Sequence, residues 1–202
     1  MEQAARRQMI YVQGILRALM TGGNMHTIYD IMALPEGERA ELIDGEMFMM
    51  ATPTRRHQKT AGWLYNMIFN HIMKKGGRCE VDISPFAVFL KKDIWNYVEP
   101  DVIVVCDRDK LDDQGCHGAP DWALEVVSPS SVTMDYRRKL EAYRSAGVRE
   151  YWIIDPVKEA VMVYHFGEGQ EEPAAYEFSD IVKSGILTEL ELDLRKLHEY
   201  LA

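Results

Sequence analysis

Two stretches decide the fold: YVEPDVIVV at residues 97–105 and PDWALEVV at residues 120–127. Each contains a nearly pure apolar run, which is typical of strands covered on both faces in the centre of a mixed or parallel sheet. Asp101 opens the first run and Glu125 interrupts the second. Because an ionised carboxylate inside a sheet is costly unless it is paired or bound to a metal ion, these two acids mark a candidate site.

Two amphipathic helices are expected around these strands. Apolar residues at three- and four-residue steps predict one helix from Arg55 to Lys75. The turn residues after Val127 predict a second helix over about 132–146, which Gly147 would end. The expected buried stripe of the second helix consists of Tyr136, Leu140 and Tyr143.

Further strands complete an α/β order. Asp44-Gly45 is a favoured two-residue turn and predicts a hairpin over 40–50. Other strand candidates are 79–83, 86–90, 151–154 and 160–166. The alternation of helices with strands predicts one α/β domain.

The length of the chain favours a single core. With 202 residues, 47% of them apolar, it is long enough for one packed core and short for two. We expect residues 1–24 to form an N-terminal extension, as a helical arm or an overlong start, before a domain over 25–202. Since no apolar run reaches the roughly 20 residues of a membrane span and no signal-peptide pattern is present, we expect a cytoplasmic protein with no membrane contact.

Charge and cysteine content exclude some classes of protein. The formal net charge of -9 argues against general coating of nucleic acid, which needs a basic surface. Basic clusters at 55–59, 74–75 and 137–139 leave a local basic cleft open, and solvated helix ends are the alternative. The three cysteines contain no CxxC pair, so we expect reduced thiols.

The pair of acids suits a hard metal ion. Mg²⁺ is usually held by one or two carboxylates together with water and substrate phosphate. Such an ion polarises a phosphoryl oxygen and lowers the pKa of an attacking water molecule. The alternative is that Asp101 caps a loop and Glu125 pairs with an arginine at the sheet edge.

A lysine lies within reach of the acids. At 100° per residue, Lys139 falls about 60° from the centre of the predicted stripe, at the border between core and solvent. From there its side chain could extend to the strand ends, where it would stabilise developing charge or orient the water. The alternative is a surface lysine whose stem lies along the helix.

Four ordered stretches resemble one known family. They are ELIDGEMFMMATPTRRHQK, YVEPDVIVV, PDWALEVVSPSS and DYRRKLEAYRSAGVREYWIIDP. Over roughly residues 25–166 the chain resembles the bacterial putative restriction endonuclease family of the Uma type, a branch of the PD-(D/E)XK nuclease superfamily. This resemblance implies a restriction-endonuclease-like fold with a mixed central β-sheet flanked by helices.

The resemblance also implies a metal site and a substrate. Asp101, Glu125 and the main-chain carbonyl of Val126 would hold Mg²⁺ or Mn²⁺, and DNA would be the substrate. The superfamily pattern places a lysine two residues after the second acid, where this chain has Val127. By the resemblance, Lys139 takes over that role.

Three more residues are singled out by the resemblance: Glu41, Gly45 and His57. Glu41 would be a further ligand or hold a water molecule, and the alternative is a surface charge on the hairpin. His57 would contact phosphate or assist proton transfer, since its ordinary pKa of about 6.5 suits either role. The alternative for His57 is a hydrogen bond at the start of a helix.

The combined interpretation is a metal-dependent endonuclease that hydrolyses DNA. Two alternatives stay open: a catalytically silent nucleic-acid-binding or assembly module of the same fold, and a phosphodiesterase acting on a small nucleotide. Because a duplex has two strands and closed twofold dimers are the commonest oligomers, we also expect a homodimer.

Overall fold

The computed structural model describes residues 25–128, 131–167 and 172–202. The N-terminal extension expected over 1–24 lies outside these residues. Within the described ranges, no helix combines the length and apolar character needed to cross a membrane.

A mixed six-stranded sheet forms the centre of the molecule. In spatial order its strands are β11 (Ala174–Glu177), β10 (Ala160–His165), β9 (Glu150–Asp155), β8 (Trp122–Val126), β5 (Val102–Val105) and β3 (Glu80–Ile83). Strands β8 and β9 run parallel, and every other neighbouring pair is antiparallel. The mixed α/β architecture expected from the sequence is confirmed.

The register of β5 and β8 brings the two acids together. Val102 pairs with Leu124, so the next position along the ladder sets Asp101 opposite Glu125. Residues that are directly opposite on neighbouring strands project from the same face of the sheet. Both carboxylates therefore start on one face, at one end of this strand pair.

Both faces of the sheet are covered, as the unbroken apolar runs predict. On one face, the 21-residue helix α2 (Arg55–Lys75) and the C-terminal helix α4 (Leu194–Leu201) bury an apolar cluster that contains Trp122 and Trp152. On the other face, Tyr143 from α3 (Leu140–Ala146) packs with Ile103 and Tyr151. Asp101 and Glu125 belong to this second face.

Smaller elements surround this framework. They are α1 (Ile28–Met32), the hairpin β1 (Ala40–Ile43) and β2 (Glu46–Met49), the three-stranded sheet of β4 (Val88–Phe89), β6 (Leu111–Asp112) and β7 (Gly115–His117), and the pair β12 (Ile181–Lys183) and β13 (Glu191–Asp193). A 3₁₀ turn covers Arg108–Lys110.

Local sequence signals set several element boundaries correctly. Thr54 caps α2 by accepting a hydrogen bond from the main-chain N–H of His57. Asp44 and Gly45, with φ of 49° and 84°, form the hairpin turn. Gly147, with φ of 93°, ends α3 in the left-handed conformation that glycine adopts readily.

The predicted buried stripe of the second helix is wrong in part. A π-helical segment, Met134–Lys139, precedes α3 and widens the turn, so a regular 3.6-residue period misplaces its side chains. The buried residues are Asp135, Lys139, Ala142 and Tyr143, whereas Tyr136 and Leu140 are only partly buried. A polar face of this helix therefore points towards the sheet.

The prediction of three reduced thiols is also wrong for one pair. Cys79 and Cys106 form a disulfide, while Cys116 is free and buried. Glu80 pairs with Val105, so the two bonded cysteines lie opposite each other just beyond the ends of β3 and β5. This pairing depends on the register of the sheet and cannot be read from cysteine spacing.

Candidate active site

One cavity of about 450 Å³ brings the predicted site residues together. It opens between the hairpin, the start of α2 and the ends of β5 and β8. Its walls include all of the side chains predicted to act in catalysis, which are Glu41, His57, Asp101, Glu125 and Lys139. Val126 also lines it.

Asp101 uses one of its two oxygens for contacts within the protein. Its Oδ2 accepts a hydrogen bond of 2.7 Å from the main-chain N–H of Val126 and lies 3.2 Å from Nε2 of His57. No described residue donates a hydrogen bond to Oδ1. Asp101 is therefore held by the neighbouring strand and by α2, and the alternative that it caps its own loop is wrong.

Glu125 shows the same division of its oxygens. Its Oε1 accepts hydrogen bonds from Lys139 Nζ at 2.8 Å and from the Tyr143 hydroxyl at 2.6 Å. Among the described residues none donates to Oε2. The cation that pairs with Glu125 is thus a lysine within the site and not an arginine at the sheet edge.

Burial raises the pKa of Glu125 well above its usual range. The Lys139 ammonium opposes this rise, while the negative charges of Asp101 and Asp135 add to it. A positive charge placed near Glu125 would therefore favour its ionised form.

Lys139 is buried at the centre of three carboxylates. Its Nζ lies 2.8 Å from Glu125 Oε1, 2.9 Å from Glu41 Oε1 and 3.9 Å from Asp135 Oδ1. Burial disfavours the ammonium, but these carboxylates raise the pKa of Lys139 well above its usual value, so it stays charged. Both the predicted position at the border with solvent and the surface alternative are wrong, because only 4% of the residue is exposed.

Glu41 is a buried residue of β1 with 4% exposure, so its interpretation as a surface charge is wrong. Its Oε1 accepts a 2.9 Å hydrogen bond from the main-chain N–H of Glu99 and also faces Lys139. Gly45 contributes to the hairpin turn and not to the cavity wall: a Cβ there would lie 2.6 Å from Cε of Met25.

His57 joins the start of α2 to the site. Although burial opposes protonation, the hydrogen bond and the charge of Asp101 raise the pKa of His57 above its ordinary value. Its Nδ1 is buried and has no hydrogen-bond partner in the described part of the chain. The main chain of His57 makes the predicted helix-start bond, while its side chain belongs to the site.

Sequence reasoning missed a further acid, Asp135, which is 2% exposed. Its Oδ2 accepts a 2.6 Å hydrogen bond from the Ser131 hydroxyl. Burial, opposed by Lys139 and by this hydrogen bond, raises the pKa of Asp135 to about 6. The available signal was its position four residues before Lys139, which places two side chains on one helix face.

A second network braces the entrance to the cavity. Arg39 donates through Nε to Glu99 Oε2 at 2.8 Å and through Nη2 to Ser84 Oγ at 3.0 Å. The Tyr97 hydroxyl donates to the other oxygen of Glu99 at 2.8 Å. Because the main-chain N–H of Glu99 holds Glu41, this network fixes one wall of the site.

The cluster carries more negative than positive charge. Glu41, Glu125 and Asp135 surround the ammonium of Lys139, while Asp101 faces His57. In the described residues, no group of three or more His, Cys, Asp and Glu side chains is arranged to hold a metal ion. Asp101 and Glu125 nevertheless offer the oxygen chemistry that Mg²⁺ prefers, since this ion takes one or two carboxylates and completes its shell with water and phosphate.

Comparisons with known proteins agree with this fold. A crystal structure of a putative nuclease of the DUF820 group from Anabaena variabilis superposes with a TM-score of 0.71 over 87% of this chain and 99% of that one, at 21% identity. An uncharacterized protein of Synechocystis sp. is 28% identical over 130 residues, which are 63% of this chain. The match spans 66%, just under two thirds, of that relative.

The family model described as Uma2, putative restriction endonuclease, matches residues 27–195. This range contains the hairpin, both helices that border the cavity and every residue of the acidic cluster. The description of the family supports a nuclease function in general terms. The chain belongs to the Uma2 family.

Proposed function

We propose that this protein is a metal-dependent endonuclease that hydrolyses phosphodiester bonds in DNA. One observation carries the proposal: two acids on adjacent strands line one cavity, and each leaves one oxygen without a donor among the described residues. A buried or largely buried carboxylate that is not fully paired is costly, so a structure that retains two such acids side by side favours a compensating cation.

The proposed cofactor is Mg²⁺ or Mn²⁺. Asp101, Glu125 and the main-chain carbonyl of Val126 would hold it. Such an ion, when bound, supplies a Lewis acid for the phosphoryl oxygen and a water molecule of lowered pKa. Its charge would also oppose the burial and the repulsion among the acids that raise the pKa values of Glu125 and Asp135.

Lys139 supplies the ammonium that the superfamily pattern places two residues after the second acid. Val127 occupies that position and is buried in the apolar core. Lys139 instead reaches Glu125 from the neighbouring helix, at 2.8 Å. In the proposed reaction it orients Glu125 and stabilises negative charge that develops on the phosphate.

Glu41 and His57 take different roles in the proposal. Glu41 presents Oε1 to both Lys139 and the main chain of Glu99, which favours positioning of Lys139 over metal ligation. His57 is held against Asp101 through Nε2, and its second nitrogen, Nδ1, is buried. Since Nδ1 is buried, in the proposed reaction His57 acts through Nε2, which holds or moves a proton beside the Asp101 carboxylate.

Cleavage of supercoiled plasmid tests the proposal. Wild-type protein, Asp101→Ala and the matched control Asp113→Ala, which changes an exposed acid, are each incubated with Mg²⁺, with Mn²⁺ and with chelator. We expect metal-dependent nicking by wild type and by the control, and none by Asp101→Ala.

The same preparation separates the alternative functions. Activity on a mononucleotide ester without plasmid cleavage would contradict the proposal in favour of a small-nucleotide phosphodiesterase. No activity on DNA or RNA together with nucleic-acid binding would favour a silent module. The proposed homodimer is tested by sedimentation of the full chain, and a monomer at working concentration would contradict it.

A further inference from the structure

We infer that the nucleic-acid strand entering the cavity is unpaired and stacks a base on a platform formed by Phe48 and Arg138. This inference rests on the proposed function and adds the class of substrate. A single-stranded region, a flap or a frayed end would satisfy it, in DNA or RNA.

The depth of the reactive groups is the first step. The side chains of Glu125, Lys139 and Asp101 are 4%, 5% and 14% exposed. A cavity of about 450 Å³ has the size of a small-molecule pocket. Enzymes that act on a base inside such a pocket take single strands or extruded nucleotides, because a stacked and paired nucleotide cannot enter. By the same steric argument, a cavity of this depth favours a flexible unpaired strand that can bend into it.

The platform lies next to the acidic cluster. In the hairpin register Phe48 pairs directly with Glu41, so the two side chains project from the same face. Glu41 in turn contacts Lys139 at 2.9 Å. A base stacked on Phe48 would therefore lie beside Glu41, which itself contacts Lys139 of the proposed reaction centre.

The chemistry of this wall suits a base. The Cζ atom of Arg138 lies 4.9 Å from the centre of the Phe48 ring, and an ion pair with Glu46 holds the guanidinium there. Unpaired bases stack on aromatic rings and on guanidinium planes. Met49, which is 56% exposed, and Met134 extend the apolar wall.

The charge balance disfavours a duplex. Duplex affinity depends on many phosphate contacts from lysine and arginine, and the chain has a net charge of -9. Arg39 in the cavity wall is already paired with Glu99, and Arg138 beside Phe48 is paired with Glu46. Binding through base stacking is less affected by this negative charge than binding through phosphate contacts, because stacking does not require unpaired lysine or arginine side chains.

Fluorescence anisotropy with the full chain tests the inference. The probes are labelled oligothymidine, labelled oligouridine and a duplex of equal length, each measured with Ca²⁺ and with chelator. The variant is Phe48→Leu, which keeps an apolar side chain in the hairpin. Phe69→Leu is the matched control, since Phe69 is a 39% exposed aromatic residue of α2 outside the cavity wall. Circular dichroism melts verify that each variant is folded.

We expect the unpaired strands to bind about tenfold or more tighter than the duplex. Phe48→Leu should weaken that binding about fivefold or more, the effect of losing one base–aromatic stack. Phe69→Leu should bind like wild type. Equal or tighter binding of the duplex, unchanged binding by Phe48→Leu, or no binding of any probe would each overturn the inference.

The plasmid assay keeps this test separate from the proposed function. Preference for unpaired strands without metal-dependent cleavage of either the plasmid or the single-stranded oligonucleotides would uphold the stacking platform and contradict the nuclease proposal. Metal-dependent cleavage without such preference would uphold the nuclease and overturn the platform. Comparison of the two oligonucleotide probes shows whether the ligand is DNA or RNA.

Discussion

Two buried glutamates lie on neighbouring parallel strands and are held in opposite ways. Glu150 opens β9 and is fully buried; its Oε1 accepts from the Trp152 indole N–H at 2.6 Å and its Oε2 from the main-chain N–H of Gly185 at 2.7 Å. His165 Nδ1 lies 3.5 Å from Oε2. Glu125, on β8, has both of its donors on a single oxygen.

Under the proposed function, the difference separates a structural acid from a functional one. Glu150 has a donor on each oxygen, and its closest ionic partner is a histidine, so it ties the C-terminal segment to the sheet. Glu125 faces three further carboxylates and leaves Oε2 without a donor among the described residues. The arrangement at Glu125 is unfavourable for the protein alone and becomes favourable once a cation joins it.

Replacement by glutamine should give opposite phenotypes at Glu125 and at Glu150. The largest expected effect is the loss of catalysis at Glu125. We expect Glu125→Gln to reduce metal-dependent cleavage about a thousandfold, since a neutral amide is a poor metal ligand and metal ions supply several kcal/mol of charge stabilisation. The amide oxygen can still accept from Lys139 and Tyr143, so stability should change by less than about 1 kcal/mol. Single-turnover cleavage and urea denaturation measure both quantities. A stable but fully active variant would contradict the assignment of Glu125.

Removal of the central cation should have the next largest effect. Lys139→Met leaves three carboxylates without their shared ammonium, and loss of one partner of a buried ion pair costs about 3 kcal/mol. We also expect Mg²⁺ to raise the melting temperature of this variant more than that of wild type, because the ion replaces the missing charge. Calorimetry with and without Mg²⁺ checks both, and equal effects of Mg²⁺ on the two proteins would argue against a metal at this cluster.

Glu150→Gln is expected to reduce stability by about 2 kcal/mol. Its amide nitrogen would face either the Trp152 indole N–H or the Gly185 N–H, and a buried donor left without an acceptor carries a penalty of this size. Cleavage at a temperature where the variant is folded should match wild type. Loss of activity in the folded variant would show that the structural role assigned to Glu150 is incomplete.

The smallest effect concerns the pH dependence of stability. The pKa of Asp135 is raised to about 6 from an ordinary 3.8, so its neutral form favours the folded state. This contribution is fully present below about pH 4 and is lost as the pH rises through about 6. Asp135→Asn should flatten the stability curve over this window, while Glu125, whose pKa is also raised, keeps part of the slope. Urea denaturation from pH 4 to pH 7 measures the curve, and equal slopes would contradict the raised pKa.

The sequence predicts most of the fold because its signals are local. Apolar runs mark β5 and β8, three- and four-residue steps mark α2, and Asp44-Gly45 marks the hairpin turn. The acids Asp101 and Glu125 stand out for the same reason, as charges within apolar strands. These features depend on residues that are close together in the chain.

What the sequence does not predict depends on contacts between distant elements. The partners of Glu150 come from its own strand and from a loop 35 residues away, so its pattern alone does not distinguish it from a surface acid. The π-helical segment rotates Asp135 and Lys139 inward, which a regular helical period cannot anticipate. The bond between Cys79 and Cys106 follows from the register of β3 and β5.

The most direct test of the central claim is the binding of Mn²⁺, followed by electron paramagnetic resonance. Wild type, Glu125→Gln, Asp101→Asn and Glu150→Gln are each titrated with the ion under conditions where all are folded. We predict that wild type and Glu150→Gln bind Mn²⁺ alike and that the other two variants lose this site. Equal binding by all four proteins, or none by wild type, would contradict the claim that Asp101 and Glu125 hold a catalytic metal ion.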